Sequence, residues 1–232
     1  MISAVKEKKI SFLERTFTKQ GTILDIRPWA SGTFFEVDLH LPDTDMSKWT
    51  VTQHIKCKVA PYTFRDYTPA QWDASTHTCT LFIDAAHDGA GARWAQQLQT
   101  GELLVYLGIG SSMQKPVQGQ ELVFLGDQSA LAHFLALQQL AGNTAQIKGN
   151  VVIKDPEHVE EFNSYFPRSP FQPVLQQSDA LSTLVASLLD FPFSQEQVFY
   201  LVGNVRMVAD LRNLLRKTGI NSSQIKAQGF WK

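Results

Sequence analysis

The sequence predicts a chain in two parts, an antiparallel β-barrel followed by a parallel sheet with helices on its faces. In the N-terminal half, short runs rich in β-branched and aromatic residues are separated by turn residues, which is typical of a barrel. From Glu121, short apolar runs alternate with helical patterns, as in βαβ units. Residues 111–120 are polar and contain a proline and a glycine. They predict a linker, with one domain over 1–114 and the other over 115–232.

Six strands and one helix are predicted in the N-terminal part. The strands are expected over residues 22–26, 33–39, 54–59, 64–67, 78–83 and 103–107. In the third of these, apolar residues alternate with polar ones from Ile55 to Val59, which is the period of a half-buried strand. Trp94 and Leu98 lie at helical spacing and predict the helix over 92–98.

Four strands alternate with four helices in the predicted C-terminal part. The strands are expected over 122–125, 146–153, 197–202 and 225–230, and the helices over 128–141, from Pro156 onward, over 178–189 and over 204–217. Asp155 before Pro156 predicts a helix N-cap, and Gly219 predicts the end of the last helix. Ligands of open parallel sheets bind beyond the carboxyl ends of the strands, so the predicted site is the cleft that faces the barrel.

Composition and charge exclude several classes of protein. The 232 residues are 44% hydrophobic and 19% charged, which is ordinary for a globular chain. The 21 basic and 22 acidic residues give a net charge of -1, which argues against a nucleic-acid partner held by bulk charge. No apolar run is long enough for a membrane span or a signal peptide. Cys57 and Cys79 lack metal-like spacing and predict reduced, buried thiols in a cytoplasmic protein.

The residue pattern assigns no catalytic residue and no metal site. A nucleophile elbow is absent from the sequence, so hydrolysis has no support. Four histidines have no partner pattern and are expected as surface or satisfied polar groups: His40, His77, His133 and His158.

Arg65, Tyr67 and Thr68 form the sharpest local pattern in the chain. On a strand, Arg65 and Tyr67 project to the same face. A guanidinium grips a pyrophosphate with paired hydrogen bonds, and a tyrosine ring offers a flat face to a tricyclic aromatic ring. The hydroxyl of Thr68 can bond a ring nitrogen, so the pattern suits a flavin dinucleotide. An ordinary half-exposed strand is the competing interpretation.

A second candidate segment runs from the strand near Ile83 through a loop of small residues to the start of a helix near Ala92. The free backbone N–H groups of a helix N-terminus suit a phosphate, and small residues let a phosphate approach closely. This segment therefore adds a phosphate-binding element downstream of the flavin-like pattern.

These motifs resemble, in the same order, those of the siderophore-interacting proteins, the FAD-dependent ferric-siderophore reductases of the ferredoxin-reductase superfamily. Six segments carry the resemblance: residues 54–56, 65–68, 91–95, 125–131, 202–212 and 229–232. The second matches the Arg-x-Tyr-Thr flavin signature, and the last is similar to a terminal Gly-Tyr-Trp-Arg. The resemblance implies an FAD-binding barrel and a nicotinamide-type domain. It implies FAD-binding roles for Arg65, Tyr67, Thr68, His87, Gly91, Ala92, Trp94 and Trp231.

The implied activity is reduction of ferric siderophores in iron uptake, with release of Fe(II) in the cytoplasm and electrons from NAD(P)H or reduced ferredoxin. Hard oxygen ligands suit Fe(III) better than Fe(II), so reduction frees the iron. A flavin links two-electron donors to one-electron acceptors. Many ferric siderophores are anionic, which suggests a basic rim. The candidate substrate-binding residues are Lys56, Lys58, Lys115 and Lys232, for which solvated surface charge is the competing interpretation.

Three alanines depart from the family pattern. Ala70 stands where a second arginine is common, Ala85 where a histidine is usual, and Ala92 where a serine is usual. They motivate an alternative hypothesis, a non-catalytic module of the same fold that binds flavin or siderophore without turnover. A third hypothesis is a flavin reductase of another pathway. Gln128 and Asn204 replace glutamates and no Gly-x-Gly-x-x-Gly is present, so nicotinamide use has less support in the sequence than flavin use.

Overall fold

The computed structural model describes residues 18–188 and 193–231. Within them, an antiparallel sheet contains the strands β1 (Lys19–Pro28), β2 (Phe34–His40), β3 (Gln53–Ala60), β4 (Thr63–Tyr67), β5 (Pro69–Asp73), β6 (Thr78–Asp84) and β7 (Leu103–Ser111). A parallel sheet contains β8 (Glu121–Asp127), β9 (Ile147–Ile153), β10 (Gln172–Leu175), β11 (Gln197–Asn204) and β12 (Ile225–Trp231). The α-helices are α1 (Ala90–Ala95), α2 (Leu131–Ala141), α3 (Pro156–Tyr165), α4 (Ala180–Ser187) and α5 (Val205–Lys217).

The antiparallel sheet is barrel-like but open. Its strand order is β4-β3-β7-β1-β2-β6-β5, so β4 and β5 lie at its two edges. Its interior is filled by alternating side chains such as Val37, Ile55 and Cys57. The predicted antiparallel barrel is confirmed, with the difference that the sheet does not close. The open edge strand β4 carries Arg65 and Tyr67.

The parallel sheet has the strand order β10-β9-β8-β11-β12 and is covered on both faces. Helices α2 and α3 cover one face, where Phe134 and Phe162 join the core. Helices α4 and α5 cover the other face, where Leu184 and Leu211 are buried. Strand β11 is buried in all but its last residue, as expected for a parallel strand between two layers of helix. The predicted α/β part is therefore confirmed.

The helices of the parallel part begin at polar caps. Asp155 accepts a hydrogen bond from the backbone N–H of Glu157 at 3.0 Å, as its position before a proline predicts. Asn204 accepts from two backbone N–H groups of α5 at 3.0 and 3.1 Å. Asp179 caps α4 in the same way, and that helix begins at Ala180 rather than at 178. Each cap satisfies amide groups that the first turn of a helix leaves unpaired.

A continuous hydrophobic core joins the two sheets. Trp29 and Phe34 of the antiparallel part lie in the same buried cluster as Phe134 of α2. The rings of Trp29 and Phe34 meet edge to face, with centroids 4.8 Å apart. The division into residues 1–114 and 115–232 stays a prediction, because the core does not stop at that boundary.

Three polar contacts cross the same interface. Glu161 of α3 accepts from the backbone N–H of Ala30 at 2.8 Å. The buried ring of His158 contacts the carbonyl oxygen of Ala30 through Nε2 at 2.8 Å, so this histidine is a satisfied polar group, as predicted. The hydroxyl of Ser31 donates to Asp155 at 2.8 Å. Together these contacts fix the turn after β1 to helix α3.

The chain between β7 and β8 is held from both sides. The backbone N–H of Thr52 donates to the carbonyl of Gln114 at 2.8 Å, and the N–H of Ser112 donates to the carbonyl of Thr52 at 2.9 Å. From the parallel sheet, the hydroxyl of Tyr200 donates to the carbonyl of Lys115 at 2.7 Å. The predicted linker is thus anchored to both sheets.

Two edge strands, β5 and β10, have no counterpart in the prediction from sequence. Each contains a proline, Pro69 or Pro173, a residue that sheets tolerate at edges and strand starts. In β5 the register also shifts around Gln71, whose φ is 50°. A short strand that contains a proline and an irregularity shows no alternation, so sequence periodicity does not detect it.

Cys57 and Cys79 are buried free thiols, as predicted. Burial raises the pKa of both thiols, because the thiolate is poorly solvated inside the sheet. No helix in the described ranges is long and apolar enough to cross a membrane.

Gly149 allows β9 to pass close to β8. Its φ is +145°, and a Cβ at this position would overlap the backbone carbonyl oxygen of Phe124. Backbone cannot move aside without breaking the β8–β9 pairing, in which Phe124 is the partner of Gly149. Glycine at this position is therefore required by the close approach of two central strands.

We expect Gly149→Ala to lower the free energy of unfolding by about 2–4 kcal/mol, because it combines overpacking with an unfavourable φ. The matched control is Gly219→Ala, where φ is +93° but no atom lies within 4 Å of the added Cβ. That variant is expected to lose only about 1 kcal/mol. Urea unfolding followed by tryptophan fluorescence measures both, and equal losses would show that the contact with Phe124 is unimportant.

Candidate functional site

The five parallel strands all end at one cavity of about 1240 Å³. The strand ends contribute the wall residues Asp127, Lys154, Gln176, Asn204 and Trp231. The opposite wall comes from strands β3, β4, β6 and β7 of the antiparallel sheet. The cavity is larger than the roughly 300–1,000 Å³ of ordinary small-ligand pockets, so it has room for a ligand of dinucleotide size. Its position is the one predicted for open parallel sheets.

Arg65 presents a cation without an acidic partner to this cavity. It lies on the edge strand β4, is exposed, and lines the cavity together with Tyr67 and Thr68. Its Nη1 donates to the carbonyl of Phe64 at 2.8 Å, and no carboxylate of the described residues forms an ion pair with it. Most of the guanidinium donors therefore remain available for an anionic ligand.

Tyr67 is held in place by helix α1. Its ring stacks on Trp94 with centroids 5.7 Å apart and an interplanar angle of 26°. Its hydroxyl lies 2.5 Å from the point that a Cβ on Gly91 would occupy, and Cγ of Arg65 lies 3.6 Å from that point. Arg65 and Tyr67 therefore face the same helix, as the strand period predicts. Burial raises the pKa of Tyr67, so the phenol is neutral.

The predicted FAD-binding residues fall into two groups. Five of them line the cavity: Arg65, Tyr67, Thr68, His87 and Trp231. The other three, Gly91, Ala92 and Trp94, lie in α1 outside the cavity wall, and Gly91 and Trp94 contact Tyr67. Gly91 and Trp94 thus position the tyrosine.

The three predicted substrate-binding lysines that the structure describes do not line the cavity. Lys56 pairs with Asp66 at 3.3 Å, and neither Lys56, Lys58 nor Lys115 belongs to the cavity wall. Lys232 lies outside the described residues. The wall instead contains Lys154 and Arg206.

Lys154 and Arg206 were not predicted as site residues, although their positions in the sequence indicate the site. Lys154 follows β9 directly, and Arg206 is the second residue of α5, the helix that follows β11. The carboxyl ends of parallel strands share one edge of the sheet, so residues that follow a predicted strand are candidates for the same site.

All three alanines that depart from the family pattern are core residues. Ala70 is fully buried in the cluster that joins the sheets, and Ala85 is buried in the antiparallel sheet. The third, Ala92, is buried in α1. These positions are filled by methyl groups in packed surroundings, so they offer no polar group to a ligand.

Asp127 ties the turns after β8 and β11 together. One carboxylate oxygen accepts from the backbone N–H of Ser129 at 3.0 Å, and the other accepts from the N–H of Asn204 at 2.7 Å. Burial raises the pKa of Asp127. Ser129 also accepts from the indole N–H of Trp231 at 3.1 Å, which holds this half-exposed ring at the cavity.

His133 lines the cavity with a buried nitrogen that has no partner. Its Nε2 bonds to Oε1 of Gln114 at 2.7 Å, whereas Nδ1 is buried and unpartnered among the described residues. The ring of Phe230 lies against it, with centroids 5.7 Å apart. Burial lowers the pKa of His133 to about 3, so the ring is neutral. The expectation of a surface or satisfied group is therefore wrong for this histidine.

Residues 119–232 match the family model described as siderophore-interacting protein. The match identifies a siderophore-interacting domain over the parallel part of the chain. The family predicted from the sequence motifs is thereby confirmed. The matched residues form the parallel sheet and its helices. Arg65, Tyr67 and Thr68 lie before the matched range, in the antiparallel sheet. A search of the curated proteins gives no match.

Solved structures extend the similarity to both sheets. The siderophore-interacting protein from Acinetobacter baumannii has 12% identity and a TM-score of 0.76, over 92% of this chain and 90% of that chain. A ferredoxin reductase in carbazole 1,9a-dioxygenase has 16% identity and a TM-score of 0.75, over 92% and 69%. A flavohemoglobin from Malassezia yamatoensis with bound FAD and heme has 12% identity and a TM-score of 0.72, over 92% and 60%. At these identities the likeness shows the fold, which is that of the ferredoxin reductases.

Gly91→Ala is expected to lower the free energy of unfolding by about 1–3 kcal/mol, because the added methyl meets the hydroxyl of Tyr67. Tyr67→Phe removes that hydroxyl and leaves the ring carbon at 3.7 Å, so the double variant should recover most of the loss. Gly89→Ala is the control, since its Cβ meets only the exposed side chain of His87. Chemical denaturation of the four variants tests this, and additive losses would contradict it.

We expect the stability of the chain to fall with pH because of His133. Its folded pKa of about 3 lies below the unfolded value of 6.5, so between these values protons bind the unfolded chain preferentially. Stability attributable to this group is complete above about pH 6.5 and is lost by about 1 kcal/mol per pH unit as the pH falls towards 3.

His133→Gln removes this titration and should give a shallower loss of unfolding free energy between about pH 6 and pH 4. His87→Gln, a change at an exposed histidine, should keep the original slope. Urea titrations at several pH values provide the measurement. Identical slopes for the wild type and His133→Gln would contradict the buried, neutral state of this ring.

Proposed function

We propose that the protein is an FAD-dependent reductase of ferric siderophores, which releases Fe(II) in the cytoplasm with electrons from NAD(P)H or reduced ferredoxin. One observation carries the proposal: the strand ends of the siderophore-interacting domain and the Arg65–Tyr67 face of β4 share one large cavity. A site of this kind brings a cofactor, an electron donor and a chelate within reach of each other. The proposal also keeps the division at residue 114 between a flavin-binding part and a nicotinamide-type part.

The residues of the cavity fit a flavin dinucleotide. Arg65 is a cation with free donors, which suits a pyrophosphate. The ring of Tyr67 and the hydroxyl of Thr68 lie in the same wall, and Trp231 adds a second half-exposed aromatic ring. The FAD-bound flavohemoglobin of the same fold supports this assignment.

Within this proposal the chain itself binds and orients the cofactor. Arg65 neutralises the charge of the pyrophosphate, and stacking on Trp94 holds the ring of Tyr67 in one orientation. When bound, FAD would accept a hydride from a nicotinamide, or single electrons from ferredoxin, and pass electrons singly, so that one hydride reduces two Fe(III) ions and releases one proton. Fe(II) is then held less well by hard oxygen ligands and leaves the chelate.

A second candidate function is a non-catalytic module that binds a flavin or a siderophore. Ala70 and Ala85 favour it, because both are buried in apolar surroundings where the family pattern has polar side chains. The two candidates differ in whether bound FAD is reduced by NADH, NADPH or reduced ferredoxin. Bleaching of the flavin bands by any of these donors, with reoxidation by a ferric chelate, would support the reductase.

We expect the purified chain to show flavin absorbance or to acquire it when FAD is added. Arg65→Ala should weaken FAD binding by at least about tenfold, since a charge-assisted hydrogen bond contributes about 1.5–3 kcal/mol. Arg212→Ala, which removes an exposed arginine outside the cavity wall, is the matched control and should bind FAD as the wild type does. Absorbance and fluorescence titrations measure both. A chain that takes up no FAD rules out the reductase.

A further inference from the structure

The wall of the cavity is acidic, although the whole chain has a net charge of only -1. The acidic wall residues are Asp66, Asp84, Asp127, Asp155, Asp179 and Asp210. Within the described part of the chain, the basic wall residues are Arg65, Lys154 and Arg206. Six acidic residues therefore face three basic ones, whereas acidic and basic residues are nearly balanced over the chain.

Two of the six acidic wall residues are neutralised by ion pairs. Asp66 pairs with Lys56 at 3.3 Å, and Asp210 lies 4.0 Å from Arg206 on α5. Four acidic wall residues and two basic ones, Arg65 and Lys154, are then left. Because Arg65 is assigned to the pyrophosphate in the proposed function, Lys154 is the remaining cation of the described wall that has no carboxylate partner.

The acidic groups at the helix starts stay ionised. The hydroxyl of Ser31 holds the pKa of Asp155 below its usual value, and the hydroxyl of Ser182 does the same for Asp179. These carboxylates and the side chain of Asn204 also occupy backbone N–H groups of α3, α4 and α5. The helix ends that would otherwise attract an anion are thus already satisfied by the chain.

A second, independent feature points to the same kind of ligand. Nδ1 of His133 is a neutral hydrogen-bond acceptor, buried without a partner beside the cavity. An unpartnered buried acceptor calls for a donor, and only the exposed ring of Phe230 is seen packed against this face of the histidine among the aromatic contacts of the described residues. The wall thus offers mainly acceptors and negative charge.

We propose that the substrate is a ferric chelate without net negative charge, of the hydroxamate class, and this inference rests on the proposed function. Each hydroxamate carries one negative charge, so three of them neutralise Fe(III). Three catecholates carry two charges each and leave a trianion. The acidic wall repels a trianion and attracts a neutral chelate that bears N–H donors, or one that bears an ammonium group.

Two derivatives of one chelate separate charge from shape. The probes are iron-loaded desferrioxamine B, which bears a free ammonium group, and its N-succinyl derivative, which bears a carboxylate instead. We expect the purified full chain to bind the ammonium form about tenfold more tightly in calorimetric titrations at low ionic strength, with a ratio that falls as salt screens the charges. Equal affinities, tighter binding of the carboxylate form, or no binding of either would overturn the proposal.

Asp179→Asn removes one charge and keeps a residue that can cap α4. It should reduce the preference for the ammonium form about threefold, since one of several wall charges is lost. Asp45→Asn is the matched control, because Asp45 also caps a short helical turn but lies outside the cavity wall. An unchanged preference in Asp179→Asn would contradict the role of the wall.

The two proposals fail separately. A chain that binds FAD but prefers the carboxylate form would overturn the inference about charge and leave the reductase intact. A chain that prefers the ammonium form but takes up no FAD would support the inference about charge and rule out the reductase, and it would favour a binding module. Measuring FAD uptake on the same preparation as the chelate titration distinguishes these results.

Discussion

The apolar contact between the turn after β1 and helix α3 determines how the two sheets face each other. Trp29 is fully buried there and meets His158 and Tyr165 edge to face, with ring centroids 5.6 Å away in both cases. Burial of one such aromatic side chain contributes on the order of 2–3 kcal/mol. The polar contacts of Ala30 with Glu161 and His158 give the apolar contact a single orientation. The cavity is the space that remains on the other side of this contact.

The architecture could be predicted from the sequence because its strong signals are local. The alternation around Ile55 and the cap at Asp155 each depend on a few neighbouring residues, and both have the predicted conformation. The edge strands β5 and β10 were missed because proline and irregular register hide their period. Whether the barrel closes could not be predicted, because the pairing of two edge strands does not depend on a residue pattern within either strand.

The residues of the candidate site could be predicted only where they lie on the same strand or helix. Arg65 and Tyr67 share β4, so their common face follows from the strand period. Lys154 and Arg206 come from different strand–helix junctions, and only the sheet order brings them to one wall. The unpartnered nitrogen of His133 depends on Gln114 and Phe230, which lie far from it in the sequence. Burial and pairing of this kind are tertiary properties, and no local pattern carries them.

The anchored segment between β7 and β8 affects how ligands exchange. Domain closure in enzymes needs a few connecting residues that are free to change their backbone angles. Here Gln114 and Lys115 are bonded to opposite sheets, and the core near Trp29 runs through the interface. These contacts oppose a hinge motion between the two sheets. If the cavity does not close, its affinity for a ligand depends on the shape and charge of the wall as it stands.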